Sequence, residues 1–153
     1  MDSYKKTKYM AFLREKYSLL EDAVAAMNGC SVERSVSWWE LLDYYDSLPP
    51  EKVRLSDLKQ CDSEFELRMR AGIGREGIAA VVEGLKMRYG FGRISQDPHL
   101  IIDRAFKRKR IESHEELRAL LDYLAESESN SDPRLSILQG LANEAESRLE
   151  SRL

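Results

Sequence analysis

At 153 residues, 42% apolar and 33% charged, the chain matches the size and mixture of one soluble globular domain and excludes a disordered or membrane-spanning class. A net charge of -3 gives no overall attraction to nucleic acid or anionic lipid, so the distribution of charge matters more than its sum. No apolar run approaches the roughly 18 residues of a spanning helix, and charge returns at Arg14 before a signal-peptide core could form, so a cytoplasmic protein is the expectation.

From Tyr4 to Met27, the residues Met10, Leu13, Tyr17, Leu20, Val24 and Met27 recur in steps of three and four. This spacing predicts a long amphipathic helix ended by Asn28-Gly29, with Tyr9 and Phe12 widening its apolar seam. Ser37-Trp38-Trp39-Glu40 reads as a capping box that opens a helix to about Leu48, where Pro49-Pro50 forbids continuation. Trp38, Leu41, Leu42 and Tyr45 share one face of it, and Trp39 and Tyr44 flank that face as candidates for an exposed interface anchor.

Val53 to Leu58 predicts a short helix or turn. Phe65, Leu67 and Met69 then alternate with charges as in a half-buried strand, yet Ser63 with Glu66 forms a second capping box among strong helix formers. A helix ending at Gly72 is the expectation. Between Arg75 and Tyr89, Ile78, Val81, Val82, Leu85 and Tyr89 fall on one helical face and Ala79 and Ala80 fill much of the rest. This segment is therefore expected to lie deepest in the core, with Gly90 as its stop.

Gly72-Ile73-Gly74-Arg75-Glu76-Gly77 matches the glycine fingerprint of dinucleotide sites. That chemistry needs a buried strand before the glycines and a second strand bearing an acid, and neither is convincing here. The glycines are read as a helix end and a tight helix–helix turn, with close packing at Gly77. No cofactor is expected.

Asp97-Pro98 opens the next helix as N-cap and first residue, and the helix runs out into Lys107-Arg108-Lys109-Arg110, four cations where the helix dipole is negative. Ser113-His114-Glu115-Glu116 is a third capping box, opening a helix with Leu117, Leu120, Leu121 and Leu124 inward. Residues 126–132 hold no apolar side chain and predict a mobile loop. Asp132-Pro133 repeats the cap device before a seam of Leu135, Leu138, Ala142, Ala145 and Leu149. The whole is an all-α expectation: residues 1–153 as a single compact multi-helix bundle of about seven helices around a central apolar helix at 75–89.

The catalytic repertoire is thin. His99 and His114 sit in first turns without a local motif, and neither is set beside a nucleophile by any recognisable spacing. Cys30 and Cys61 have no CxxC pattern and read as unpaired thiols, so neither a metal site nor an enzyme is expected. A winged-helix scheme can be laid on residues 53–110, with 75–89 as reading helix, Gly90 to Ile94 as wing and Arg75, Lys86, Arg88 and Arg93 toward phosphate. Against it, a groove-inserted helix must expose a polar face, and this one is the most apolar.

The favoured expectation is a protein–protein interaction module. Its candidate surface joins Trp39 and Tyr44 to the cationic run Lys107, Arg108, Lys109 and Arg110 and to Glu115, Glu116 and Asp122 in the acidic segment that follows. The partner is another protein, a homodimer being open because the first and last helices can seal within a chain or across a two-fold axis. An immunity- or antitoxin-like role, or another regulatory binding role, is an analogy drawn at the level of fold alone.

Overall fold

The computed structural model describes residues 1–28, 36–126 and 133–150. Among these residues every regular element is helical: α1 (Ser3–Asn28), α2 (Val36–Ser47), α3 (Leu55–Tyr89), α4 (Pro98–Arg108), α5 (His114–Glu126) and α6 (Leu135–Glu150), with short 3₁₀ turns at Pro50–Lys52 and Ile94–Gln96. The all-α expectation is met. By its internal contacts the chain divides into two compact units, Met1–Ile94 and Ser95–Leu153.

The expected helix at 63–72 and the helix at 75–89 are arms of one element, α3, which is why the described residues hold six helices where about seven were expected. Ser63 caps nothing, because the helix already runs from Leu55 and its backbone ladder supplies the acceptors a cap would provide. The strand-like alternation at 64–70 is overruled by the same continuity. A break falls at Gly74, whose φ of 70° and ψ of 177° lie in a region that essentially only glycine visits. Gly77 packs closely, as expected: a Cβ there would come within 2.7 Å of the Ile73 Cβ. The glycine run therefore bends a helix, and no strand precedes it.

In the first unit the deepest element is α1, not the segment 75–89. Tyr9, Met10, Phe12, Leu13, Tyr17 and Leu20 are all buried on α1, whereas Arg75 to Tyr89 buries only Ile78, Val82 and Leu85 and leaves Ala79 and Ala80 exposed. Alanine completes an apolar pattern but contributes little area, so a wide pattern of small residues attracts less burial than a stripe of aromatics. Those aromatics stack in series. Phe12 meets Tyr89 edge-on at 5.4 Å and Phe91 at 4.7 Å, and Tyr17 meets Phe65 at 4.7 Å, which in turn takes Trp38 edge-on at 5.1 Å.

The second unit has its own apolar core of Ile102, Ala105, Ile111, Leu117, Leu120, Leu138, Ala142, Ala145 and Leu149. Two of its helix starts follow the sequence reading. Asp97 accepts the His99 N–H at 3.1 Å with Pro98 as first residue, and Ser113 Oγ accepts the Glu116 N–H at 3.1 Å. The Glu116 carboxylate accepts the Glu112 N–H at 2.9 Å, one residue beyond the Ser113 N–H that its motif describes. Gly29, Cys30, the cap at Ser37, the expected loop at 126–132 with Asp132, and the last residues 151–153 lie outside the described residues or side chains.

Candidate functional site

Lys16 falls four residues after Phe12, three after Leu13 and four before Leu20, so the helix that buries those side chains must bury the lysine too. Its side chain is wholly inaccessible. The ammonium is sustained by three acceptors: Asp62 Oδ1 at 2.5 Å, Glu66 Oε2 at 2.7 Å and the Gly92 carbonyl at 3.0 Å. The two carboxylates lie four residues apart on α3 and thus on one face of it. Asp62 also takes the Ile94 N–H at 2.8 Å. Both partners of a buried pair need this kind of completion, since an ion removed from water without full pairing is strongly unfavourable.

The network clamps the residues that follow α3. Gly90, at φ 84°, ends the helix with its N–H on the Lys86 carbonyl, and Phe91 is buried against α1. Gly92 then passes so close to the helix that a Cβ would lie 2.3 Å from the Val82 carbonyl oxygen. Arg93 emerges from this turn and grips Glu66 with a fork, Nε to both carboxylate oxygens at 3.0 and 2.9 Å and Nη2 to Oε1 at 2.9 Å. Burial alone would raise the Glu66 carboxyl, but hydrogen bonds from Arg93 and Lys16 outweigh it and hold the group below its ordinary value. Asp62 moves the other way: burial raises it, and the bonds from Lys16 and Ile94 offset only part of that.

Next to the clamp, the two arms of α3 and the turn enclose a cleft of about 400 Å³. Its apolar lining is Leu67, Ile78 and Ala79, of which Ile78 is buried and Leu67 is 69% exposed. Arg70, Arg75 and Arg93 bring three guanidinium groups to it, placed by the arm before Gly74, the arm after it and the clamped turn. Arg93 is engaged by Glu66, whereas Arg70 and Arg75 have no ion-pair partner among the described residues. A second cleft of similar size, lined by α1 and residues 46–50, differs in this respect. There Lys6 donates to the Asp46 and Leu48 carbonyls and Arg14 pairs with Asp43 and Asp46, so its cations are already engaged.

The residues that sequence analysis put forward are divided between the two units, Trp39 and Tyr44 in the first and Lys107 to Asp122 in the second. Trp39 is partly buried, its indole N–H donating to Glu21 Oε1 at 2.9 Å and its ring edge-on to Tyr17 at 5.3 Å, so it anchors α2 on α1. Tyr44, 57% exposed, is the open member of that pair. In the second unit Lys107, Arg108, Lys109 and Arg110 are exposed, with Lys109 in the left-handed conformation (φ 59°) that closes α4. Arg108 pairs with Glu112 at 2.9 Å and with Glu116 at 2.6 Å. The cationic knot and the acidic segment therefore partly neutralise each other, and the hydrogen bonds involved hold Glu116 below its ordinary value against the effect of burial. Glu115 and Asp122 stay exposed. The clamp went unseen in the sequence, although a lysine in register with Phe12, Leu13 and Leu20 was its signal.

For chemistry, the cleft offers guanidinium groups beside an apolar wall, a combination that binds anions with an apolar body. His99 and His114 are both exposed, the former edge-on to Tyr123 at 6.0 Å. Cys61 is buried in the first unit, and that burial pushes its thiol up to about 11. Of the four cations assigned to phosphate in the winged-helix scheme, Arg88 is paired with Glu15 and Arg93 with Glu66, and the residues expected as a wing are folded inward, with Phe91 and Ile94 buried. Among the described residues no helix is long and apolar enough to cross a membrane. No family model, curated protein or solved structure matches the chain.

Proposed function

We propose that the chain is a protein-binding module that works by surface complementarity, with its principal site in the bend of α3. The observation that supports this reading is the cleft itself, where Arg70 and Arg75 have no carboxylate partner among the described residues and stand beside the exposed Leu67. Arginine flanked by apolar side chains is the composition of binding hot spots, because its stem packs while its planar head donates several hydrogen bonds. In the second unit the exposed acids Glu115 and Asp122 supply charge of opposite sign: residues 95–153 hold 9 Lys and Arg against 12 Asp and Glu, whereas residues 1–94 hold 15 of each.

The test is quantitative co-purification with the wild-type chain and an Arg70→Glu, Arg75→Glu double variant as baits, alongside a Glu115→Lys, Asp122→Lys variant. A partner recovered in stoichiometric amount with wild type, lost with the arginine pair and kept with the acidic pair, supports the cleft. Equal recovery with all three baits overturns it.

A further inference from the structure

We infer that the α3 cleft accepts an acidic amphipathic segment of its partner, carboxylates to Arg70 and Arg75 and a large apolar side chain against Leu67, Ile78 and Ala79, with Glu66 as a built-in competitor. This rests on the reading above and names the partner's chemistry.

Three features carry it. The cleft, at about 400 Å³, is sized for one or two large side chains and not for a folded surface. Its charge is one-sided on the ligand's side: Arg70 and Arg75 have no described ion-pair partner, and Glu66, the one carboxylate among the described lining residues, is drawn back by the buried Lys16 and forked by Arg93. The Arg93–Glu66 fork is also an internal example of the recognition proposed, a carboxylate held through paired N–H donors at 2.9–3.0 Å at the wall of the same cleft. Glu66 therefore has two effects on an incoming acid. It repels the acid directly, and it occupies the third guanidinium. Replacing it with glutamine removes the negative charge while leaving an oxygen to accept from Lys16, which keeps Asp62 and the Gly92 carbonyl as further acceptors.

The probe is a short labelled synthetic peptide with glutamate and leucine at helical spacing, compared with counterparts carrying glutamine or lysine for glutamate, by fluorescence anisotropy against the full chain. The glutamate peptide is expected to bind, to weaken as salt rises, and to lose about tenfold or more in affinity with Arg70→Glu, Arg75→Glu. Leu67→Gln, at an exposed position, is expected to weaken it with an unchanged circular dichroism spectrum, and Glu66→Gln to tighten it several-fold. Binding of the glutamine peptide equal to that of the glutamate peptide overturns the inference, as does a Glu66→Gln variant that binds no tighter. Full displacement by citrate at equal concentration overturns the peptide occupant in favour of a small anion, and tighter arginine-dependent binding of a DNA duplex does so in favour of nucleic acid. A natural partner lost with the arginine pair but indifferent to acidic peptide leaves the binding function standing and removes this inference alone.

Discussion

The two units solve the same problem with different interiors. The described part of residues 95–153 closes around aliphatic side chains from Ile102 to Leu149, and its ion pairs, such as Arg108 with Glu112 and Glu116, are partly open to solvent. Residues 1–94 instead bury a lysine and an aspartate among aromatic rings and tie them to the turn after α3. An aliphatic core is tolerant, because neighbouring shapes of similar volume also pack. A buried ion network is directional: it is satisfied in one arrangement and strongly penalised in others, which sets the register between α1, α3 and the turn.

Substitutions that remove one member of each interior separate these two behaviours. Lys16→Ala should be the most damaging, at about 4 kcal/mol, because Asp62 would stay buried without its counterion. Both tryptophans lie in the first unit, so their fluorescence during urea unfolding reports that loss directly. Combining Lys16→Met with Asp62→Leu should recover most of it, since an apolar pair of similar volume often replaces buried ions without net loss. A double variant as unstable as the single one would show that the charges themselves are required. Leu120→Ala, in the aliphatic interior, should cost about 3 kcal/mol through lost burial and a residual cavity, read by hydrogen exchange over α4, α5 and α6.

Acid should sharpen the contrast further. A Glu66 carboxyl held below its ordinary 4.5 favours the folded state above that value, and its contribution is lost as pH falls through the lowered folded-state pKa. Asp62, raised by burial, has the opposite sign: its penalty is relieved on protonation, so its favourable contribution belongs to low pH and is lost as pH rises through its folded-state value. Below pH 4.5, Glu66→Gln should therefore show a shallower fall in melting temperature than wild type. The smallest effect is expected at the surface, where Arg108→Ala should change stability by no more than about 0.5 kcal/mol in thermal unfolding.

Much of the architecture was legible because periodicity reports what water exclusion demands. The α1 stripe and the caps at Asp97 and Ser113 follow from local rules that the fold leaves intact. Where reading failed, a longer-range effect won. The Ser63 box has the composition of a helix start, but the short helix expected near Val53 to Leu58 runs on through it as one element from Leu55. Trp39 has the composition of a binding anchor, but a carboxylate one helix away, Glu21, takes its N–H. Lys16 was passed over since polar residues are presumed to face water, and its carboxylate partners lie 46 and 50 positions away along the chain. The cleft was beyond sequence reading for the same reason: its arginines converge only once Gly74 bends α3 and the turn folds back.

The close passage of Gly92 over Val82 bears on how this chain can drift over generations. A methyl group at position 92 would collide with main chain, which no neighbouring rotamer can relieve, so the position is closed to every other residue. Its neighbour, Arg93, projects from that immobile point with 41% of its side chain open to solvent. In a deep mutational library selected only for folding, glycine should survive almost alone at 92, while 93 should admit other residues at the cost of its fork on Glu66. Selection for partner capture should then narrow 93 further, dividing two adjacent codons into one held by backbone space and one held by fold and use together.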